Sequence, residues 1–203
     1  MAHEEIKRVT LGQKVENFKL ETFDPTEGGF GKLNLEQNMK DGKWTVLMFY
    51  PADYTFVCPT ELADAAAKYD QFRELGAVFA SVSTDTQFCH MAWQRDERLL
   101  KQVKYPMAAD PTGRVSKQFG VYDYNTGLAL RGTFIINPEG ELVGQEVNFY
   151  PVGRNADELL RKLKAYVHVR NHPTEACPAK WDEGQKTLKP GANLVGKVAD
   201  ALE

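Results

Sequence analysis

The segment FYPADYTFVCPTE, residues 49–61, places a cysteine where a strand gives way to a helix. The mostly apolar run 44–50 is typical of a buried strand. Pro59 suits the first turn of a helix, and Glu61 adds negative charge near its positive dipole end. We therefore expect Cys58 in that first turn, where unpaired backbone N–H groups favour a nucleophilic thiolate. The alternative is a buried structural cysteine.

Alternating strand and helix patterns follow this segment. Strands are predicted at 77–83, 131–136 and 141–147, the last two joined by a turn at 137–140. Helices are predicted at 59–75, 86–103, 113–119 and 156–169. In the second of these, the expected inward residues are Met91, Leu99, Leu100 and Val103.

This element order predicts an α/β, thioredoxin-like fold with a central mixed sheet flanked by helices. The helix at 86–103 fits the crossover between two parallel strands. The first 40 residues read as a turn-rich N-terminal extension, and the chain after about 170 as an extended C-terminal tail. We therefore expect one main domain, 1–170, followed by a tail, 171–203.

Composition excludes several classes of function. With 203 residues, 42% of them hydrophobic, the chain can build one real core. A net charge of −3 argues against nucleic-acid or acidic-membrane partners, and no apolar run is long enough for a membrane span. The first eight residues lack the apolar core of a signal peptide, and three cysteines are too few for a secreted disulfide scaffold. The expected location is the cytoplasm.

Two cysteine segments and three further motifs resemble the typical two-cysteine peroxiredoxins, in particular the bacterial branch that contains the alkyl hydroperoxide reductase peroxidase subunit. The matching segments are YPADYTFVCPTE at 50–61, ACPAKW at 176–181, STD at 83–85, HMAW at 90–93 and RGTFII at 131–136. The resemblance runs from about residue 11 to the C-terminus. It implies a thiol-dependent peroxidase of thioredoxin-like fold that uses no metal, haem or flavin of its own.

The resemblance also assigns two cysteines. It implies that Cys58 is the peroxidatic cysteine, which attacks the peroxide and becomes a sulfenic acid. Cys177 corresponds to the resolving cysteine, which in the family forms a disulfide with Cys58 of the partner subunit. The sequence alone leaves open whether this disulfide lies between chains or within one, and whether Cys177 is instead a packing cysteine or a tail thiol with no role.

Four other residues match family positions around the peroxidatic cysteine. The Thr55 hydroxyl would hydrogen-bond the thiolate or a peroxide oxygen, although by spacing it could equally cap the helix. Pro51 would cover the site, or merely end a strand. Arg131 would stabilise the thiolate and the leaving oxyanion, whereas an arginine in this position is ordinarily solvated. Glu61 would position that arginine, and Arg154 resembles a second family arginine.

The partners implied by the resemblance are a peroxide, a second copy of the chain and an external reductant. The peroxide would be hydrogen peroxide or an organic hydroperoxide. The homodimer would assemble into a ring, commonly of ten subunits. The dithiol reductant would be a flavoprotein disulfide reductase or thioredoxin.

Competing interpretations remain at this stage. A general thioredoxin-like disulfide reductase needs Cys-x-x-Cys, but position 61 is Glu. A redox-regulated holdase chaperone is not excluded by any residue. Cys89 is interpreted as an inert packing cysteine. His168, His172 and Cys177 have zinc-like spacing but lack an obvious fourth ligand, so no metal is expected.

Overall fold

The computed structural model describes residues 6–202. Met1–Glu5, part of the stretch on which the signal-peptide expectation rests, and Glu203 lie outside the described residues. The described chain contains seven strands: β1 Lys19–Asp24, β2 Gly29–Asn34, β3 Trp44–Phe49, β4 Ala77–Ser83, β5 Met107–Ala109, β6 Arg131–Ile136 and β7 Leu142–Asn148. Its α-helices are α1 Leu35–Lys40, α2 Cys58–Ala67, α3 Tyr69–Glu74, α4 Gln87–Asp96, α5 Arg114–Gln118, α6 Ala156–Asn171 and α7 Val198–Leu202.

The strands form a single mixed sheet in the order β2-β1-β5-β4-β3-β6-β7. The centre is parallel, because β3 pairs with β4 and β4 with β5 in the same direction. On the other side of β3, the antiparallel strands β6 and β7 form the predicted hairpin. All six residues of β3 are buried, as expected for a central strand covered on both faces. The predicted mixed α/β sheet is confirmed.

Three phenylalanine rings form the centre of the core beside β3 and β6. The Phe49 ring centroid lies 5.6 Å from those of both Phe119 and Phe134, and the latter two are 4.7 Å apart. These separations fall in the range in which aromatic pairs add stability beyond the area that they bury. Gly132 lies against this cluster, where a β-carbon would come within 2.7 Å of Phe134 and Val121.

Two predicted helices are each interrupted. The helix predicted at 59–75 is divided into α2 and α3 at Lys68, which has φ −108° and ψ 0°. The helix predicted at 86–103 ends at Asp96. Extended Glu97 then starts a 3-10 helix by accepting a hydrogen bond from the backbone N–H of Leu99.

This second break changes which side chains face inward, because a 3-10 helix has about three residues per turn instead of 3.6. Leu100 and Val103 are buried as predicted, but Leu99 is 42% exposed, so its predicted inward position is wrong. Met91 is only half-buried. The crossover role is confirmed, since this segment joins the parallel strands β4 and β5.

The sequence patterns did not predict three of the strands. The N-terminal extension contains the hairpin β1–β2, which enlarges the sheet because β1 also pairs with β5. With only three residues, β5 is too short for a periodic signal.

The contacts divide the chain into two compact units, one ending at Ala156 and the other beginning at Asp157. The second unit contains most of α6, a two-residue bridge between Ala176 and Leu188, a short 3-10 helix and α7. The division into a domain 1–170 and a tail 171–203 stays a prediction. Within residues 6–202, no helix combines the length and apolar character required to cross a membrane.

We expect Gly132→Ala to lower the free energy of unfolding by about 1 to 3 kcal/mol, because the added methyl group overpacks the aromatic core. Gly29→Ala is the matched control. It also lies in a strand, but a β-carbon there meets nothing within 4 Å, so the change should stay within about 0.5 kcal/mol. Urea unfolding monitored by circular dichroism measures both. Equal stability of the two variants would contradict this description of the core.

Candidate active site

Cys58 lies in the first turn of α2, as predicted, and is the first residue of that helix. Its side chain is completely buried, with 0% exposure. The helix begins after Val57, whose apolar side chain cannot accept a capping hydrogen bond, and the N–H groups of Thr60 and Glu61 bond to the Val57 carbonyl. The sulfur therefore lies at the positive end of the helix in a dry environment.

Arg131 reaches Cys58 across the sheet, although 73 residues separate them in the chain. Met48 pairs with Thr133 in antiparallel register, so the start of β6 lies beside the end of β3, from which the loop to Cys58 departs. The Arg131 Nη1 atom donates to the Cys58 sulfur at 3.3 Å, while its Nε donates to the Tyr150 carbonyl at 2.7 Å.

The Arg131 side chain is 4% exposed, so the charge of its guanidinium is almost entirely removed from water. Desolvation lowers the pKa of Arg131, but its hydrogen bond to Cys58 and the charges of Cys58 and Glu61 outweigh that effect and raise the pKa above its ordinary value. The arginine is therefore a permanent positive charge in contact with the sulfur.

The buried carboxylate of Glu61 connects two guanidinium groups. Its Oε2 accepts from Arg131 Nη1 at 2.6 Å, and its Oε1 accepts from Arg154 Nε at 2.8 Å and from the Arg154 backbone N–H at 2.9 Å. Arg154 also donates to the Gly132 carbonyl at 2.8 Å. With Cys58 as a thiolate, the cluster holds two negative and two positive charges, which is the balance that a buried ionic site requires.

Pro51 and Thr55 lie in the loop between β3 and α2. Pro51 is buried. The half-buried Thr55 hydroxyl donates to the Ala52 carbonyl at 2.8 Å, and it is Val57 that holds the capping position of α2. A hydroxyl whose hydrogen is engaged in this way keeps its oxygen lone pairs available as acceptors. That Thr55 bonds a thiolate or a peroxide stays a prediction.

Cys177 belongs to the second unit and is half-buried. Burial raises the pKa of its thiol, although Arg161 acts in the opposite direction. The two histidines of the zinc-like set are engaged in other contacts. His168 Nε2 lies 2.9 Å from a carboxylate oxygen of Glu175, and His172 Nδ1 lies 3.0 Å from the His168 carbonyl.

Cys89 lies in the first turn of α4, where its N–H donates to the capping Thr86 hydroxyl. Burial, together with the charge and hydrogen bond of Asp53, raises the pKa of Cys89 to about 12. A thiol with this pKa stays protonated at neutral pH and is a poor nucleophile. This supports the interpretation of Cys89 as an inert cysteine.

The sequence analysis did not identify a cluster of polar side chains at the loop between β3 and α2. The Tyr50 hydroxyl donates to Asp53 Oδ1 at 2.6 Å, and His90 Nδ1 lies 2.8 Å from Asp53 Oδ2. The Asp53 N–H donates to Asp85 Oδ2 at 2.9 Å. The motifs that contain Asp85 and His90 were visible in the sequence, but nothing in their spacing indicated that both meet Asp53.

A fully buried cysteine at a helix start, in contact with an arginine at the start of a neighbouring strand in a mixed sheet, is the arrangement expected of a thiol-dependent oxidoreductase of thioredoxin-like fold. Comparisons with known proteins narrow this class. The AhpC/TSA family matches residues 11–145. Alkyl hydroperoxide reductase C of Staphylococcus saprophyticus is 45% identical over 188 residues, which cover 93% of this chain and 98% of that protein.

Two solved structures are similar as well. The crystal structure of Enterococcus faecalis AhpC matches with a TM-score of 0.79 at 40% identity, covering 84% of this chain and 99% of that one. The reduced 2-Cys peroxiredoxin of Plasmodium vivax matches with a TM-score of 0.85 at 30% identity, covering 92% and 98%. The chain therefore belongs to the AhpC/TSA family and is a peroxiredoxin, a thiol-dependent peroxidase.

We expect Glu61→Gln to destabilise the protein by about 3 to 5 kcal/mol, because it leaves two buried guanidinium groups without their shared carboxylate. Glu158→Gln is the control. Glu158 also pairs with an arginine, Arg161, but at a partly exposed position, so the loss should stay below about 1 kcal/mol. Urea unfolding of both variants tests this difference, and a Glu61→Gln variant as stable as the control would contradict it.

Proposed function

We propose that this peroxiredoxin reduces hydrogen peroxide and organic hydroperoxides with Cys58 as the peroxidatic residue. The single observation that carries the proposal is the 3.3 Å contact between Arg131 and the buried Cys58 sulfur at the start of α2. The name of the staphylococcal relative, an alkyl hydroperoxide reductase, supports organic hydroperoxides as substrates.

In the first step, the Cys58 thiolate attacks one peroxide oxygen and the O–O bond breaks. The sulfur becomes a sulfenic acid, and the other oxygen leaves as an alcohol, or as water from hydrogen peroxide, after taking up a proton. Arg131 stabilises the negative charge as it moves from sulfur to the leaving oxygen, and Glu61 keeps the guanidinium in place. Thr55 accepts a hydrogen bond from the peroxide O–H, and Pro51 covers the site.

In the second step, Cys177 of the partner subunit attacks the sulfenic sulfur, forming an inter-chain disulfide and releasing water. A disulfide requires the two sulfur atoms to approach to about 2 Å. Because Cys58 has no exposed surface, it must leave its buried position before this bond can form. The assignment of Cys177 rests on the resemblance of 176–181 to the family's resolving segment.

An external dithiol, supplied by a flavoprotein disulfide reductase or by thioredoxin, then reduces the disulfide to two thiols and is itself oxidised to a disulfide. The exchange between chains requires at least a homodimer, and we propose that dimers assemble further into a decameric ring. The small number of cysteines supports action in the reducing cytoplasm.

The competing functions gain less support. A general disulfide reductase needs a second cysteine at position 61, and that position holds a buried glutamate engaged with two arginines. A redox-regulated holdase would need oxidation of a cysteine but no turnover of peroxide, and no observation at the site favours it over peroxide reduction.

Substitution of the cysteines by serine tests the roles. Cys58→Ser should abolish peroxide reduction. Cys177→Ser should react once and stop as a sulfenic acid. Cys89→Ser, the control, should keep full turnover with a dithiol reductant, since the Cys89 thiol stays protonated.

On a non-reducing denaturing gel, oxidised wild type and Cys89→Ser should run as dimers, whereas Cys58→Ser and Cys177→Ser should not. Steady turnover by Cys58→Ser would overturn the peroxidatic assignment. An oxidised wild-type monomer with an internal bridge would overturn the inter-chain disulfide.

Arg131→Ala should slow the reaction of Cys58 with peroxide by about a hundredfold, as expected when a preorganised donor to the transition state is removed. Arg131→Lys should restore only part of this rate, because a single ammonium nitrogen does not reproduce the guanidinium geometry, in which Nη1 contacts Cys58 and Glu61 while Nε contacts the Tyr150 carbonyl. Rapid-mixing kinetics against peroxide concentration measure both. Arg73→Ala, which removes an exposed arginine, is the control, and a rate for Arg131→Ala equal to that control would exclude Arg131 from the site.

A further inference from the structure

The loop 50–57 contains Pro51 and Thr55 and leads to Cys58. Buried polar side chains hold this loop in place through hydrogen bonds. Asp53 is the central member, because its two carboxylate oxygens contact the Tyr50 hydroxyl and His90 Nδ1, and its backbone N–H donates to Asp85. The side chains of Asp53 and His90 are 1% and 0% exposed. None of these groups contacts the Cys58 sulfur in the site described above, so the reaction chemistry does not explain them.

The hydrogen-bond partners of Asp53 and His90 determine how many protons these two side chains hold together. His90 Nε2 lies 3.1 Å from the Ala108 carbonyl, which can only accept, so Nε2 carries a hydrogen. The Tyr50 hydroxyl donates its one hydrogen to Asp53 at 2.6 Å, and its oxygen also lies 3.3 Å from His90 Nδ1. The contact between His90 Nδ1 and Asp53 Oδ2 is therefore favourable only when a further proton lies between these two atoms.

This shared proton makes the contact charge-assisted, and such hydrogen bonds are about twice as strong as neutral ones. Other polar groups near the pair are the Asp85 carboxylate and the Cys89 thiol, whose ligand atoms lie within 4.8 Å of Asp53 and of each other. Asp85 is itself fixed by the Ser83 hydroxyl at 2.7 Å. The loop is thus connected to α4 through His90, and to the segment after β4 through Asp85.

The next residue of the loop shows that this connection holds a strained backbone. Tyr54 has φ of +55°, a left-handed conformation that costs energy for a residue other than glycine. Its hydroxyl donates to Asp96 at 2.8 Å, and its ring packs against Trp93, with 6.2 Å between the centroids. Asp96 and Trp93 also belong to α4, so one helix fixes two consecutive residues of the loop.

We propose that Asp53 and His90 are positioning residues of the peroxidase reaction: their buried, proton-sharing contact holds the loop 50–57, and with it Cys58, in the conformation that attacks peroxide. The inference rests on the proposed function of Cys58. It extends that function to residues that touch neither the sulfur nor the substrate.

The consequence is an opposite effect on the two steps of the cycle. Attack on peroxide needs Cys58 at the helix start, beside Arg131. Disulfide formation needs the same sulfur to leave that place. A contact that stabilises the first conformation therefore speeds the first step and slows the second.

Asp53→Asn tests this directly. The amide keeps the shape of the side chain and can donate to a neutral His90, but it holds no shared proton. We expect the rate constant for peroxide attack to fall by about tenfold, less than the roughly hundredfold loss that a 1 Å misplacement of a reacting group can cause. The rate of disulfide formation should rise, and so should the rate at which iodoacetamide alkylates reduced Cys58. In proton NMR spectra, the low-field resonance of the shared proton should be lost.

Asp110→Asn is the matched control. Asp110 is another buried aspartate, 1% exposed, whose carboxylate accepts from the Ser116 N–H and hydroxyl at 2.7 and 2.8 Å. Its loss should lower overall stability while leaving the balance between the two steps unchanged. Quenched-flow kinetics with mass spectrometry, at a temperature where all proteins are folded, resolve both steps.

An Asp53→Asn variant with unchanged rates of both steps would overturn the inference, as would the same shift of balance in Asp110→Asn. If Asp53→Asn does not fold, Tyr50→Phe replaces it in the test, because this variant removes one hydrogen bond to Asp53. A smaller shift of the two rates in the same direction would support the inference, and no shift would overturn it. Failure of the proposed function is distinguishable, because wild-type Cys58 would then not be oxidised by peroxide at all.

Discussion

The carboxylate of Glu61 is the contact on which the site depends. It lies one helical turn beyond Cys58 and holds two guanidinium groups, from the start of β6 and from Arg154. Neither arginine could stay in a nearly water-free cavity without that charge, since an unpaired buried ion is costly. The Arg131 Nη1 atom donates one hydrogen to this carboxylate and presents the other to the sulfur. The cluster therefore organises charge before any substrate arrives.

The register of the sheet explains why residues so distant in sequence meet. Antiparallel pairing of β3 with β6 brings the end of one strand to the start of the other, so the loop after β3 and the first residue of β6 share an edge. The parallel pairing of β3 with β4 brings the segment after β4 to that edge too, and with it Asp85. Strand order thus brings Arg131 to one side of the loop that leads to Cys58 and Asp85 to the other side.

Much of the fold could be predicted from local sequence patterns. The strands β3, β4, β6 and β7, and the position of Cys58 at a helix start, follow from apolar runs and from helix-start residues. The interruptions at Lys68 and Glu97 could not be predicted, because neither residue is a glycine or a proline, the usual signals that end a helix. The β1–β2 hairpin was missed because turn residues dominate its sequence, and its partner β5 is very short.

The residues of the site likewise fall into those that the sequence indicated and those that only the structure reveals. The resemblance to a known family brought out Arg131 and Glu61, whose spacing in the chain carries no local signal. The contact of Asp53 with His90 was not foreseen, since it joins a loop to a helix 37 residues away and each residue alone resembles an ordinary polar side chain. Burial of both partners, which only the folded chain reveals, distinguishes them.

The position of Trp93 makes the protein's intrinsic fluorescence sensitive to the conformation of the loop 50–57. Its indole is 1% exposed and its ring lies 5.9 Å from the Tyr50 ring and 6.2 Å from the Tyr54 ring, which lie before and after Asp53 in the loop. At such distances, excitation absorbed by either phenol passes almost completely to the indole. The emission wavelength of the indole depends on the polarity of its surroundings. Movement of Tyr54 away from Trp93 would therefore change the protein's intrinsic fluorescence, with no added dye. Trp44 and Trp181 are also buried, and replacing them would leave a single intrinsic reporter directly behind the loop.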